Sequence, residues 1–162
     1  MTQKKINKGS RNLKGENSLE AWEENEEKKE YLRGYKYARR REQRILEQIQ
    51  QLRLDAMFPC IQGDGMPRGS SQSDLSDYME SWETLMEKLK EEHAEAGRIC
   101  TEIRETIGKA EDEDEIEILE RRYIMGQTWE AIAEKIGCDR STVFRKHGDA
   151  LKKIKIPKDA TV

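Results

Sequence analysis

The sequence predicts an all-α protein: a long antiparallel helical hairpin of coiled-coil type, followed by a compact three-helix domain. Two observations carry the hairpin. Apolar residues recur at steps of three and four over two long stretches, and a segment rich in proline, glycine and serine separates those stretches. A third carries the small domain: three short helical patterns follow one another before Pro157. Composition agrees, because 39% of the residues are charged and 35% hydrophobic, with a mean hydropathy of -1.01. Such a chain cannot fill a broad core, but paired helices and a tiny helical domain need only narrow apolar stripes.

Residues 1–30 read as a basic and charged tail, largely disordered. Met1 to Ser18 is Lys, Asn, Gly and Ser with almost nothing to bury, and Glu23 to Glu30 could form a helix but lacks a strong apolar face. The hairpin is expected over residues 31–107. Its first helix runs from Tyr31 to Met57, with Tyr35, Ala38, Glu42, Ile45, Ile49, Leu52 and Ala56 as the seam. Between them lie Arg39, Arg40, Arg41 and Arg44, read as a solvated helix face or as a cationic stripe able to meet phosphates. Pro59 to Ser73 holds two prolines and three glycines and ends that helix. Ser73 is placed to cap a second helix from Asp74 to Ile107, with Asp74 and Asp77 where the helix dipole favours acids. Its seam is Leu75, Tyr78, Trp82, Leu85, Leu89, Glu92, Ala96, Ile99, Ile103 and Thr106, and its length is about 50 Å at ~1.5 Å per residue. One hairpin alone buries little area, so a homodimer through it, or docking on the C-terminal domain, is expected.

Gly108 to Asp114 reads as an acidic connector. The last domain, residues 111–156, is expected to hold helices at Glu115–Met125, Thr128–Ile136 and Arg140–Ile154. Charge divides sharply there. Glu111 to Glu120 contains seven acids and no base, whereas Arg121 to Lys158 carries ten Lys/Arg against four Asp/Glu, a local balance of +6. The net charge of -3 hides that split, and the local field decides what a surface attracts.

The spacing from Thr128 to Ile154 is the informative feature. Ala133 is small where one helix must approach another, Gly137 follows four residues later at a helix end, and Val143 points back into the shared core with Ile132 and Ile136. A small residue, a glycine and a branched aliphatic at those intervals describe a helix-turn-helix. Asp139 is placed to cap the next helix, whose exposed first turn holds Arg140, Ser141 and Thr142, with Arg145 one turn on. Arginine can bond a guanine edge bidentately, and Ser and Thr can reach bases or phosphates. Lys146, Lys152, Lys153 and Lys155 would draw the flanking phosphates. Trp129 is expected to pack near Tyr123, and Phe144 to be partly exposed.

The stretch LERRYIMGQTWEAIAEKIGCDRSTVFRKHGDALKKI resembles the promoter-recognising region 4 domain of sigma factors. Leu119, Arg121, Gly126, Ile132, Ala133, Gly137, Arg140, Val143, Ala150, Leu151, Lys152, Lys153 and Ile154 match in order. The resemblance places Arg140, Ser141 and Arg145 at groove-facing positions; Phe144, Gly148 and Asp149 depart from the commoner choices, so no target sequence carries over. From Tyr31 to Ile154 the chain is similar to small phage and prophage regulators related to the ArpU and RinA late-gene activators. That implies double-stranded DNA as partner, transcription regulation, and contact with host RNA polymerase.

Other chemistry finds no support in the residues. Cys60, Cys100 and Cys138 lack disulfide or zinc spacing, so reduced thiols and a cytoplasmic location are expected. The loop lacks the Gly-Lys-Ser/Thr of a P-loop, and His93 and His147 have no paired ligands, so neither enzyme, cofactor nor metal is expected. No apolar run is long enough to span a membrane. Two rival readings use the same features: a small terminase-like packaging subunit, and a coiled-coil interaction protein that binds no nucleic acid.

Overall fold

The computed structural model describes the backbone of residues 9–57 and 72–160 and the side chains of residues 19–57 and 75–160. The described residues are all helical or connecting, with no strand. Five α-helices follow in order: α1 (Gly9–Met57), α2 (Gln72–Ile107), α3 (Glu113–Leu119), α4 (Trp129–Ile136) and α5 (Arg140–Lys153). A wider π-type turn, Glu120–Ile124, extends α3. The chain divides into two compact units, residues 35–102 and residues 1–34 with 103–162.

In the unit of residues 35–102, α1 and α2 lie side by side and antiparallel. Arg41 Nε donates to Glu92 at 2.9 Å, Glu42 meets His93 Nδ1 at 2.9 Å, and the Arg53 guanidinium lies 5.4 Å from the Trp82 ring centre. As residue number rises on α1 it falls on α2, the signature of a hairpin. Ala38, Glu42 and Ile49 are buried along the α1 seam, and Ala96 and Ile99 along that of α2. Burial fades toward the loop: Ala56 and Leu75, both expected in the seam, are exposed. Glu42 is a carboxylate inside the apolar stripe. A hydrogen bond with His93, aided by the charge of Arg39, holds its pKa below the usual glutamate range.

In the other unit, the N-terminal part of α1 joins the end of α2 and the three short helices. Here the expectation of a tail to residue 30 is corrected, since α1 begins at Gly9. Pairs one turn apart favour that helix: Lys28 with Glu24 at 2.6 Å, Lys29 with Glu26 at 2.7 Å and Arg33 with Glu30 at 3.0 Å. Lys28, Tyr31 and Leu32 are buried, and the Tyr31 hydroxyl lies 3.1 Å from Thr106 Oγ1. The charged run 23–30 is thus helix because its long side chains pair locally while Tyr31 and Leu32 anchor its end. Residues 1–8 and most of the loop expected at 59–73 lie outside the described residues. α2 starts at Gln72, so Ser73 falls inside its first turn and not ahead of it.

The short helices are bounded by residues with definite stereochemistry. Asp112 caps α3 by accepting from the Asp114 amide at 2.9 Å, and Glu113, Asp114 and Glu115 fill the first turn. Thr128 caps α4 through the Ala131 amide at 3.3 Å. Gly137 ends α4 in the left-handed region, φ 73°, where an L side chain would be strained. Asp139 stands at the N-cap of α5 without a side-chain cap bond. Ile118, Ile132, Ala133 and Val143 form the core, with Trp129, Ile136 and Cys138 packed against it. The corner spacing in the sequence therefore corresponds to a real corner: Ala133, Gly137 and Val143 stand where two helices meet.

Candidate nucleic-acid interface

The site is built on α5, and its orientation follows from what that helix buries. Val143, His147, Ala150 and Leu151 face the core. Opposite them, at helical spacing, Ser141, Arg145 and Lys152 are exposed, with Gly148 on the same strip. The Arg145 and Lys152 side chains are 68% and 69% exposed, and both approach Asp149, at 3.7 Å and 2.9 Å. The Lys152 hydrogen bond holds the Asp149 carboxyl below its ordinary pKa. Asp149 therefore sits between two cations whose charge it offsets only in part.

The flank toward α4 carries Arg140 and Phe144. The Arg140 guanidinium pairs with Glu130 at 2.9 Å and lies 5.3 Å from the centre of the Phe144 ring. Phe144 in turn packs on Trp129, ring centres 4.8 Å apart, while staying 41% exposed. A cation above an aromatic face with an acid at one end is a held arginine with donors left over.

The flank toward α3 differs. Lys146 pairs with Asp114 and lies 3.7 Å from Asp112, and Lys153 reaches both oxygens of buried Glu115 at 2.8 and 2.9 Å. These bonds raise both lysine pKa values, with Asp114 the leading partner for Lys146 and Glu115 for Lys153. Thr142, half-buried, lies one turn before Lys146 on this side. Of the seven residues expected to meet DNA, then, Ser141, Arg145 and Lys152 share the open strip and Arg140 borders it. Lys146 and Lys153 are tied to the α3 acids that the sequence showed only as an acidic run.

Behind the strip stands a polar contact that sequence reasoning missed. The Tyr123 hydroxyl lies 3.0 Å from His147 Nε2, both groups being buried. Burial, assisted by the positive charges of Lys29 and Arg122, pushes His147 down to about 4, so it stays neutral at pH 7 and can accept a hydrogen bond from the Tyr123 hydroxyl. Burial pushes Tyr123 up to about 12. Trp129 meets His147 edge-on at 4.9 Å, the same ring that stacks on Tyr123 at 5.9 Å, and receives the Arg122 guanidinium at 4.5 Å. A histidine one turn before Leu151 on the buried stripe was the available signal. The groove along α3 and its π-type extension, lined by Glu113, Ile116, Glu117, Glu120, Arg121 and Met125, is acidic and repels phosphate.

Among the described residues no group of three or more His, Cys, Asp or Glu is placed to hold a metal, and no helix is long and apolar enough to cross a membrane. Cys100 and Cys138 carry free thiols. Neither the curated proteins nor the solved structures provide a match to the chain. The family model described as "Protein of unknown function (DUF1492)" matches residues 64–155, more than half of the chain, and the chain belongs to that family.

Proposed function

We propose that this protein is a DNA-binding transcription regulator whose α5 lies in the major groove of double-stranded DNA. The observation that carries the reading is the open strip of α5, Ser141–Arg145–Lys152 bordered by Arg140, on a helix that follows a corner turned at left-handed Gly137. In such an arrangement the first turn of the second helix contacts bases and its later cations contact phosphates. Arg140 and Arg145 are the base readers, Ser141 and Thr142 support them, and Lys152 meets the backbone. Lys146 and Lys153 position α5 on α3 and add their charge from the side.

The likeness of residues 119–154 to sigma factor region 4 supports promoter DNA as the target. With it comes a role in phage or prophage late-gene activation, in contact with host RNA polymerase. The hairpin is the element for a homodimer. The protein would act in the cytoplasm, with no cofactor.

The test is retention of fragments from a pool of the neighbouring genome by the purified chain, repeated across a salt series. Enrichment of a defined fragment, with affinity falling steeply as salt rises, supports sequence-selective binding anchored on phosphates. No retention at low salt would sink the reading.

A further inference from the structure

The hairpin carries a second set of cations that the α5 site does not use. Between Arg33 and Arg44 lie six Lys/Arg, with Glu42 as the one acid. Three of the six are engaged: Arg33 with Glu30, Arg39 with Glu42 and Arg41 with Glu92. The other three, Lys36, Arg40 and Arg44, are exposed and have no carboxylate partner among the described residues. Each stands two positions from buried Ala38 or Glu42, which on a helix places it about 200° away, on the outward face. They form one stripe, stepping one turn at a time over about 12 Å. Tyr37, 37% exposed, lies beside Arg40 and Arg44 at three and seven residues.

We propose that Lys36, Arg40 and Arg44, with the Tyr37 hydroxyl, form a contact surface for the phosphate backbone of double-stranded DNA. Unpaired cations on successive turns, with exposed Glu47 on the same face only beyond Arg44 and hydrogen-bonded there by Gln43, suit a line of phosphates spaced about 3.4 Å per strand along the duplex axis. The matching acids of this unit, Glu80, Glu87 and Glu91, are exposed on the outward side of α2. Two helices put roughly 20 Å between those faces, about twice the Debye length in physiological salt, so the field of the stripe survives. The same geometry disfavours a second copy as occupant. Basic and acidic stripes on opposite sides of the hairpin would join copies head to tail, so a homodimer through the hairpin would not close on these two faces.

This inference extends the DNA reading but stands on different residues, and one experiment separates them. The full chain, the variant K36Q/R40Q/R44Q, the charge-keeping variant K36R/R40K/R44K and Arg145→Ala are titrated with a short random-sequence duplex across a salt series. Circular dichroism confirms equal helix content. The stripe predicts that the glutamine variant loses roughly 10-fold or more in affinity at low salt and that its log–log salt slope falls by about 2–3, while the charge-keeping variant matches the parent. A parental slope and affinity in the glutamine variant, with binding weakened by Arg145→Ala, overturns the stripe and leaves the α5 site standing. The converse pattern supports the stripe and removes the α5 site. Displacement of the duplex by polyglutamate as readily as by competing duplex, at equal charge concentration, assigns the stripe to an acidic protein partner and overturns the proposal.

Discussion

His147 and Tyr123 show how one polar contact can fix the face of a helix. A histidine pushed by burial from 6.5 to about 4 sheds its proton on folding, so the unfolded chain binds more protons across that window. Its contribution is complete above pH 6.5 and is lost as pH falls toward 4, with a ceiling of about 3 kcal/mol. Thermal melts at pH 7 and pH 5 should therefore show a larger loss for the parent than for His147→Gln, which keeps an acceptor for Tyr123 but does not titrate. Equal losses would contradict the assignment. Two glycines give an opposed pair. A Cβ at Gly148 would meet nothing within 4 Å, so Gly148→Ala should stabilise α5 by about 0.5–1 kcal/mol. Gly137→Ala should cost about 1–2 kcal/mol, because its φ of 73° strains any Cβ. Urea denaturation measures both.

At the scale of elements, what could be read from the sequence depended on whether a signal was local. The corner at Ala133, Gly137 and Val143 and the extents of α4 and α5 were legible, because spacing and glycine stereochemistry are properties of a few adjacent residues. The clamp of Lys146 and Lys153 by Asp112, Asp114 and Glu115 was not. Its partners are over thirty residues apart, and periodicity does not say which charged faces meet. The N-terminal extent of α1 was missed for a related reason: residues 19–30 have no apolar stripe of their own and form a helix through ion pairs and the anchoring of Tyr31 and Leu32. The clamp makes a prediction. Neutralising Lys146 and Lys153 to glutamine should lower stability and its sensitivity to salt while changing DNA affinity less than Arg145→Gln does. The reverse order in a fluorescence anisotropy titration would remove the distinction between open strip and clamped flank. The burial gradient of the hairpin makes another. Amides near Ala56 and Trp82 should exchange hydrogen faster than those from Ala96 to Ile107, where seam residues are buried. Uniform exchange would contradict that gradient.

At the scale of the whole molecule, segregated charge organises the chain more than hydrophobic content does. The acids of α3 are spent on holding α5, which leaves Arg145, Lys152 and Arg140 facing outward on one unit, while α1 presents Lys36, Arg40 and Arg44 on the other. Membership of the family described as a protein of unknown function, over residues 64–155, spans all of α2 and all of the C-terminal helices. The matched region thus contains the proposed reading helix entire. The most direct test compares the parent with R140A/R145A on a fragment the parent selects, with helix content matched by circular dichroism. If α5 reads DNA, the double variant should lose at least about 10-fold in affinity and its preference for that fragment over random duplex, at about 1–3 kcal/mol for each good bidentate contact. A double variant that binds the fragment with parental affinity and selectivity would contradict the account.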